Sequence, residues 1–333
     1  MKPLISICIP VYNGSKFIDQ TLNSLLIASK ELKYSLFEII VSDNCSSDDT
    51  ILKALSFKKK GLNINLIKNK KNFGYDMNLD ILIKNAKGNF TWFLGCGEIV
   101  KSESLKRLVD FISTNLDLSN LILDYDIFSE NLNKISNKSV YKLTRNILIS
   151  GKNNFTKNRY SASLSANVVN TKMWLKVVNF PLIEQGWCHV ERILSIISIN
   201  KQSETYILFE PYFTLYQEND GWWTTKSSYK LLLSHIKIID NMPKLGFNEK
   251  AHRKVRKYQE GANVLNAIVL SRKNGFNFND KELKDFKKFF SFFFYLLLIK
   301  PFAYLPINLC SIILSFYFKV YHLLALIYKK KKY

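Results

Sequence analysis

Acidic residues are scarce in this sequence relative to basic ones. Asp and Glu together number 27 against 48 Lys and Arg, which gives a formal net charge of +21 over 333 residues. A surplus of this size predicts an anionic partner: a phosphorylated substrate, an acidic membrane or a nucleic acid. Hydrophobic residues make up 47% of the chain, so a sizeable core is expected, in one large domain or two small ones.

Paired cysteines and the common phosphate-binding motifs are also missing. The five cysteines are odd in number and none lies in a CxxC pair, which argues against a disulfide framework or a zinc site and for reduced thiols in a cytosolic compartment. No GxGxxG follows the first apolar run and no GxxxxGK[ST] occurs, so a dinucleotide dehydrogenase and a P-loop enzyme are not expected. The apolar run before Pro10 is too short for a signal peptide.

Short apolar runs alternate with helical patterns over the first hundred residues. Ser15 is predicted to cap the first helix, and Ser46 and Asp49 have capping-box spacing before the second. The alternation predicts an α/β fold with a mostly parallel sheet flanked by helices. The strands are predicted at 4–10, 37–43, 62–68 and 89–94, and the helices at 15–29, 46–59 and 75–88.

The regular alternation fades after about residue 101. A helix at 102–114, a strand at 120–128, a helix near 188–200 and a strand near 205–209 are predicted, and basic helices follow at 226–241 and 249–273. The domain division predicted from this pattern is 1–225, a helical region 226–285 and a basic hydrophobic segment 286–333.

The last segment predicts membrane association. Residues 287–333 contain eight lysines and no Asp or Glu, and the middle apolar run, 301–318, is interrupted by Pro306 and Asn308. Aromatic residues beside lysines suit the headgroup region, so in-plane or re-entrant attachment to the cytoplasmic leaflet is expected. A single span, a buried subdomain and an oligomer interface remain as alternatives.

Polar clusters follow each of the four predicted strands, at 10–13, 42–49, 69–78 and 95–98. Ligands bind beyond the C-terminal ends of parallel strands, so the clusters predict a nucleotide pocket. The Asp43 carboxylate could accept hydrogen bonds from a base or a ribose there. The alternative is that Asp43 and Asn44 merely cap a turn.

These segments resemble the N-terminal half of family 2 glycosyltransferases, which have the GT-A, Rossmann-like fold. The resemblance implies transfer of a sugar, with inversion, from a nucleotide-diphosphate donor to a glycan hydroxyl in bacterial surface-polysaccharide synthesis. The expected acceptor is lipid-linked. UDP is the first expectation for the donor, with dTDP, GDP and CDP as alternatives. The matching segments are SICIPVYNGSKFIDQTLNSLL, FEIIVSDNCSSDDT and NFGYDMNLDILIKNAKGNFTWFL.

The resemblance implies a nucleotide-binding half, 1–100, and an acceptor half, 101–225. Tyr12 would lie near the base, Asp43 would hold the base, and Asn72 would lie along the ribose and diphosphate. The implied donor-binding residues are Pro10, Tyr12, Asn13, Asp43, Asn44, Asn72, Gly74, Asn78, Cys96 and Gly97.

The chain departs from the family at its metal-binding acids. Gly95 and Gly97 stand where acids are common, and Glu98 alone remains. One carboxylate could suffice for Mg²⁺ or Mn²⁺ when phosphates supply other ligands. Otherwise Lys70 or Lys71, with backbone N–H groups near the glycines, could offset the charge of the leaving group. A further alternative is that Glu98 caps the following helix.

The family's general base implies a second set of residues, in 184–197. Counting back from Leu194 places Glu191 at the base position and Val190 at the preceding acid. His189 is a rival base, a ligand or a structural residue, and Trp187 is a candidate for stacking on a sugar. Further candidates are Arg159 and Arg192 as phosphate contacts, and a flap at 217–226.

Two rival functions remain from the sequence. The missing acids also fit a catalytically reduced protein of the same fold that binds sugar nucleotides or acts as a scaffold. The net charge alone would fit a nucleic-acid-binding protein, but its lysines are dispersed and no nucleic-acid-binding motif appears, so no nucleic-acid partner is expected.

Overall fold

A ten-stranded sheet forms the centre of the larger part of the chain. The computed structural model describes residues 2–129, 133–155, 161–200, 202–217, 228–259 and 262–316. The strands are β1 (Ile5–Val11), β2 (Phe37–Asp43), β3 (Ile64–Lys68), β4 (Phe90–Phe93), β5 (Ile99–Val100), β6 (Asn120–Ser129), β7 (Lys134–Asn137), β8 (Ile147–Ser150), β9 (Asn167–Asn170) and β10 (Glu204–Gln217).

Helices connect these strands and form the rest of the described chain. The α-helices are α1 (Ile18–Ala28), α2 (Thr50–Lys59), α3 (Tyr75–Asn85), α4 (Ser104–Ser113), α5 (Lys152–Phe155), α6 (Thr171–Val177), α7 (Cys188–Ile199), α8 (Ser228–Asp240), α9 (Glu249–Gln259), α10 (Ala262–Lys273), α11 (Asp280–Phe289), α12 (Phe292–Phe294) and α13 (Lys300–Tyr304). A 3₁₀ turn (Met242–Leu245), a π-helical turn (Tyr295–Ile299) and a helix over 307–316 complete the described elements.

The sheet order is β3-β2-β1-β4-β9-β6-β10-β5, with β7 beside β6 and β8 beside β10. Strands β3, β2, β1 and β4 are parallel neighbours, and β6 is parallel to β10. The antiparallel pairs come from β9 and the short strands β5, β7 and β8. The predicted α/β class, with a parallel sheet in the first hundred residues, is confirmed.

Continuous apolar runs explain why the first strands lie at the centre. Ile5, Ile7 and Ile9 of β1 are fully buried, as are Ile39 and Val41 of β2. Parallel strands covered on both faces favour such β-branched runs. Helices α1, α2 and α4 supply apolar side chains to the same core.

Both predicted helix caps in this region are wrong. Helix α1 begins at Ile18, where the Gly14 carbonyl accepts from its N–H, and the Ser15 N–H donates instead to Asp48. Helix α2 begins at Thr50, whose N–H donates to Asp48 rather than to Ser46. The Ser46 hydroxyl accepts instead from the Asn13 N–H at 2.8 Å, so the contact between the two loops uses an oxygen that a local cap would have used.

Strand β10 is much longer than the predicted strand near 205–209, because it continues through Pro211 to Gln217. Register shifts at Pro211 and the positive φ of Glu210, 71°, mark a bulge that accommodates a residue without an N–H. Pro211 therefore interrupts the sequence pattern that is typical of a strand, although the strand itself continues to Gln217.

The chain divides into two compact units. The first unit is Met1–Glu218 with Lys244–Ala251, and the second unit is Asn219–Pro243 with His252–Tyr333. Buried side chains from Tyr229 to Leu314 form one core in the second unit, so the regions predicted as 226–285 and 286–333 contribute to the same core. Among the described residues, no helix is long and apolar enough to cross a membrane.

Candidate active site

The C-terminal ends of β3, β2, β1 and β4 meet at one edge of the sheet. Val11 is in register with Asp43, and Asp43 with Lys68. On the other side of β1, Cys8 is in register with Phe93, and the Leu94 N–H donates to the Cys8 carbonyl at 2.9 Å. Two strand spacings, about 10 Å, therefore separate the end of β2 from the end of β4.

Asp43 is the last residue of β2, and within the described residues only one of its two carboxylate oxygens accepts a hydrogen bond. Its side chain is 1% exposed, and Oδ2 accepts from the Ser46 N–H at 3.1 Å. Oδ1 is buried and has no hydrogen-bond partner in the part of the chain that the structure describes. A buried acceptor of this kind is costly, so a ligand or a water is expected to supply its donor.

Asn44, Asn72, Gly74 and Asn78 lie together, but they mainly bind one another. The Asn44 amide nitrogen donates to Asn72 Oδ1 at 2.8 Å and to the Gly74 carbonyl at 3.1 Å. Asn69 donates to both Asn44 Oδ1 and Asn78 Oδ1. This amide network fixes the loop before α3 to the end of β2, and its predicted contacts with ribose and diphosphate remain predictions.

Pro10, Tyr12 and Asn13 lie at the end of β1. Tyr12 is 52% exposed, so its ring is accessible at this edge. Asn13 has a left-handed backbone, with φ of 49°, and its Oδ1 accepts from the Ser47 N–H at 2.9 Å. The structure therefore brings these residues beside Asp43, as the sequence predicted, and Asn13 joins the loops that follow β1 and β2.

In the turn after β4, the N–H groups of Gly95 and Gly97 form hydrogen bonds with side chains of the protein. The Gly95 N–H donates to Ser165 Oγ and the Gly97 N–H to Thr21 Oγ1, both at 2.8 Å. These two donors are therefore engaged within the protein, and the hypothesis that N–H groups near the glycines offset the charge of the leaving group stays a prediction. Cys96 is half-buried, and its Sγ lies 3.8 Å from the Gly14 carbonyl oxygen.

Glu98 places a buried carboxyl group at the same turn. Burial raises its pKa from the usual 4.5 to about 8, although a hydrogen bond with Ser165 acts in the opposite direction. The residue is partly exposed, yet its Oε2 atom is buried and, within the described ranges, lacks a hydrogen-bond partner. We call Asp43 Oδ1 and Glu98 Oε2 the two uncommitted oxygens.

Glu98 is the carboxylate that this turn offers to a metal. A metal ligand must be deprotonated, and burial raises the pKa of Glu98 in the metal-free protein, so a cation would have to displace its proton. No cluster of three or more His, Cys, Asp or Glu side chains suited to a metal occurs among the described residues. The metal-binding role predicted for Glu98 therefore stays a prediction.

Glu191, the predicted base, lies in the first turn of α7. Its Oε2 accepts from the Ile183 N–H at 2.8 Å and its Oε1 from the Glu184 N–H at 3.0 Å. Burial raises the pKa of the carboxyl group, and these two hydrogen bonds partly offset that shift. The carboxylate therefore holds the loop before α7, and each oxygen keeps one lone pair for another donor.

His189 has both ring nitrogens occupied. Nε2 lies 2.9 Å from the Ala162 carbonyl, which can only accept, so Nε2 carries the proton and Nδ1 accepts from the Tyr75 hydroxyl at 3.3 Å. Burial lowers its pKa from 6.5 to about 4. The imidazole is therefore neutral and hydrogen-bonded, which favours the structural role among those left open by the sequence.

Trp187 and Arg192 are buried rather than presented to a ligand. Trp187 is 6% exposed, and its ring centroid lies 5.8 Å from that of His189. The Arg192 guanidinium donates to the carbonyls of Phe180 and Val178, both at 2.7 Å. Arg192 thus satisfies carbonyls that follow α6, and its proposed phosphate contact is wrong. Arg159 and most of the predicted flap, residues 218–226, lie outside the described residues.

Asp76, Ser165 and Thr21 were not predicted, although each holds part of the site. Asp76 accepts from the N–H groups of Gly186 and Cys188, at 2.7 and 3.1 Å. Ser165 and Thr21 fix the turn that carries Glu98. Asp76 stands in a motif-rich segment, but its partners are more than one hundred residues away, so spacing gave no signal for this role.

The sequence model of glycosyl transferase family 2 matches residues 6–174, about half of the chain. The chain belongs to glycosyl transferase family 2. The matched range contains the edge formed by β1 to β4 and both uncommitted oxygens, and it ends before Glu191.

Curated relatives in this family match over shorter stretches. Abequosyltransferase RfbV of Salmonella typhimurium is 30% identical over 118 residues, which is 34% of this chain and 34% of the relative. The poly(ribitol-phosphate) beta-N-acetylglucosaminyltransferase TarS of Staphylococcus aureus is 32% identical over 108 residues, which is 32% of this chain and 18% of TarS. The match thus spans about a third of the first relative and less than a fifth of the second.

Solved structures extend the likeness of fold beyond these segments. TarS residues 1–349 of S. aureus in complex with UDP-GlcNAc match with a TM-score of 0.59 and 21% identity, over 87% of this chain and 80% of that one. Mannosyltransferase PcManGT of Pyrobaculum calidifontis, in complex with GDP-Man and Mn²⁺, matches with a TM-score of 0.57 and 12% identity, over 95% and 85%. The fold expected from the resemblance is therefore confirmed.

Proposed function

We propose that this family 2 protein transfers a sugar from a nucleotide-diphosphate donor to a hydroxyl group of a glycan, with inversion. The observation that carries the proposal is the pair of uncommitted oxygens at one edge of a parallel sheet, where such folds bind nucleotides. Buried acceptors at this edge need donors from outside the protein, and a base or a sugar can supply them.

The donor is proposed to lie across the ends of β1 to β4. Asp43 Oδ1 would accept from an N–H of the base or from a ribose hydroxyl, and exposed Tyr12 would line the base. Lys70 and Lys71, both exposed on the loop after β3, would face the diphosphate. UDP is the first choice because TarS binds UDP-GlcNAc, and GDP follows because PcManGT binds GDP-Man.

Glu191 is proposed as the general base. The acceptor hydroxyl would give its proton to a remaining lone pair of Glu191 while its oxygen attacks the anomeric carbon. The bond between that carbon and the diphosphate oxygen would break, and the nucleotide diphosphate would leave with the electron pair. His189, whose two nitrogens bind Tyr75 and Ala162, is proposed as a positioning residue beside it.

The acceptor is proposed to be a lipid-linked glycan of the bacterial cell surface, glycosylated at the cytoplasmic face of the inner membrane. The names of relatives support this choice, because they include an abequosyltransferase and a putative teichuronic acid biosynthesis glycosyltransferase. The net charge of +21 suits both an anionic leaflet and a pyrophosphate-bearing acceptor.

Donor binding is tested by thermal-shift measurements with a panel of nucleotide sugars, each with and without Mn²⁺ or Mg²⁺. A donor that binds the folded state raises the unfolding midpoint, and the rise grows with the logarithm of the donor concentration relative to its Kd. We expect Asp43→Asn to abolish the shift, whereas Asp110→Asn, at an exposed position of α4, leaves it unchanged. A metal effect that survives in Glu98→Gln would exclude Glu98 as the metal ligand.

Transfer is tested by release of nucleotide diphosphate in the presence of acceptor glycans. We expect Glu191→Gln to lower kcat by at least about 100-fold, the lower range for loss of a general base, while the donor-induced thermal shift is kept. Equal kcat values in wild type and Glu191→Gln would refute the assigned base. Donor binding with no turnover on any acceptor would instead support the sugar-nucleotide-binding protein as the function.

A further inference from the structure

Residues 292–316 of the second unit are apolar on two opposite sides. The inner side packs into the core of this unit through Tyr295, Ile299, Phe302, Cys310 and Leu314, each at most 5% exposed. This packing fixes α12, the π-helical turn, α13 and the helix over 307–316 against the protein. Only their other side can therefore meet a partner.

The other side of the same segment exposes large apolar side chains. Five of them are about two thirds exposed or more: Phe292, Phe293, Leu297, Ile312 and Phe316. A hollow of about 400 Å³ opens on this side, and it is lined by Leu296, Lys300, Pro301, Tyr304, Leu305 and Pro306. Exposed apolar residues scattered singly are ordinary, whereas this many within 25 residues indicate an interaction surface.

The charge around this surface identifies the partner. Residues 287–333 contain eight lysines and no acid, and in the described part Lys300 lines the hollow. A second copy of the chain would bring like charges together across an apolar contact. Anionic lipid headgroups would instead pair with the lysines while the acyl region takes the apolar side chains.

We propose that the exposed face of residues 292–316, defined by the five side chains above, lies in the plane of an anionic lipid leaflet. The inner side of the segment stays in the protein core. Only the exposed side chains therefore enter the leaflet, and the segment does not cross the bilayer. The inference rests on the proposed function and deepens its place of action, since it names the surface that would hold the chain at a membrane carrying a lipid-linked acceptor. Lipid binding requires no sugar nucleotide, so it can fail or succeed independently of transfer.

The test is flotation of the full chain with vesicles of phosphatidylcholine, with and without phosphatidylglycerol. We expect strong binding to the anionic vesicles that weakens as salt is raised. We expect Phe292→Ser/Phe293→Ser to lower the partition coefficient at least about tenfold, because two exposed aromatic rings no longer enter the acyl boundary. The matched control is Leu52→Ser on α2, which removes a side chain that is 67% exposed and leaves binding unchanged.

A second pair, Ile312→Ser/Phe316→Ser, tests the other end of the face and replaces the first pair if circular dichroism shows that the first is unfolded. Three results would overturn the proposal. These are absence of wild-type flotation, folded double variants that bind as the wild type does, and a lipid-free dimer in sedimentation that the same substitutions dissociate. The last result would assign the face to a second copy of the chain.

Discussion

Glu98 and His189 are buried titratable side chains whose pKa values shift in opposite directions. Burial raises the pKa of Glu98 to about 8 and lowers the pKa of His189 to about 4, because in both cases it disfavours the charged form. The two groups therefore change the free energy of unfolding with pH in opposite senses. Glu98 affects stability between about pH 4.5 and 8, and His189 between about pH 4 and 6.5. The two ranges overlap only in part, so the effect of each group on stability can be measured separately.

The first prediction concerns Glu98→Gln. Between pH 4.5 and 8 the folded state keeps a proton that the unfolded state releases, so the free energy of unfolding falls as the pH rises. The slope is at most about 1.4 kcal/mol per pH unit. Urea denaturation between pH 7 and 8, where His189 is mostly neutral in both states, is expected to show this decline in wild type and not in Glu98→Gln.

The control for this measurement is Glu103→Gln, at an exposed position in the following turn, which should retain the wild-type decline. Parallel pH profiles for wild type and Glu98→Gln would show that Glu98 titrates normally in the folded protein.

The second prediction concerns His189→Gln. Between pH 6.5 and 4 the unfolded state binds a proton that the folded state does not, so the free energy of unfolding falls as the pH is lowered. We expect His189→Gln to remove this loss, measured in the Glu98→Gln background so that Glu98 does not contribute. Tyr75→Phe keeps the imidazole and should keep the loss. Persistence of the acid-side loss in His189→Gln would assign it to another group.

At the scale of elements, α3 holds the start of α7. The Asp76 carboxylate in the first turn of α3 accepts from Gly186 and Cys188 just before and at the start of α7, and the neighbouring Tyr75 hydroxyl reaches His189. A carboxylate at a helix N-terminus satisfies N–H groups that have no intrahelical partner. The contact therefore determines where α7, and with it Glu191, lies relative to α3.

The third prediction is that Asp76→Ala lowers the free energy of unfolding by about 1–2 kcal/mol, the usual cost of losing a side-chain cap. Urea denaturation at neutral pH measures the change. Asp110→Ala, at an exposed position late in α4, is the control and should change stability by less than about 0.5 kcal/mol. Equal losses in the two variants would mean that the hydrogen bonds of Asp76 add nothing to stability.

At the scale of the whole molecule, each unit has its own apolar core. The core of the first unit joins β1, β2 and β4 to α1, α2 and α4, whereas that of the second gathers aromatic side chains around Tyr229 and Phe286. The ring centroids of Tyr229 and Phe278 are 4.9 Å apart, and those of Tyr229 and Phe286 are 5.8 Å apart. The second core therefore depends on contacts between side chains far apart in the sequence.

The fourth prediction tests the second core. Phe286 is fully buried, so Phe286→Ala is expected to cost about 3–5 kcal/mol through lost contacts and a cavity. Native-state hydrogen exchange should show reduced protection for amides of the second unit, in 228–243 and 252–316. The matched variant is Ile39→Ala in β2, which should reduce protection in the parallel strands. Loss of protection confined to those strands in Phe286→Ala would contradict the assignment.

The elements that the sequence predicted well are those with strong local patterns. Strands β1 and β2 are short runs rich in β-branched residues, and polar residues follow each directly, so both the strands and the position of Asp43 could be predicted from the local sequence. Helix starts were read less well. Ser15 and Ser46 had the right spacing for caps, but loop-to-loop contacts through Asp48 and Asn13 used these groups instead.

The sequence by itself determined the family, the α/β class and the placement of Asp43 and Glu98 at strand ends, because these depend on residues adjacent along the chain. The tertiary structure decided which groups are already engaged: the N–H of Gly95 by Ser165, the guanidinium of Arg192 by carbonyls after α6, and Asp76 by the start of α7. Such partners are from 12 to 112 residues apart, and only folding brings them within hydrogen-bonding distance.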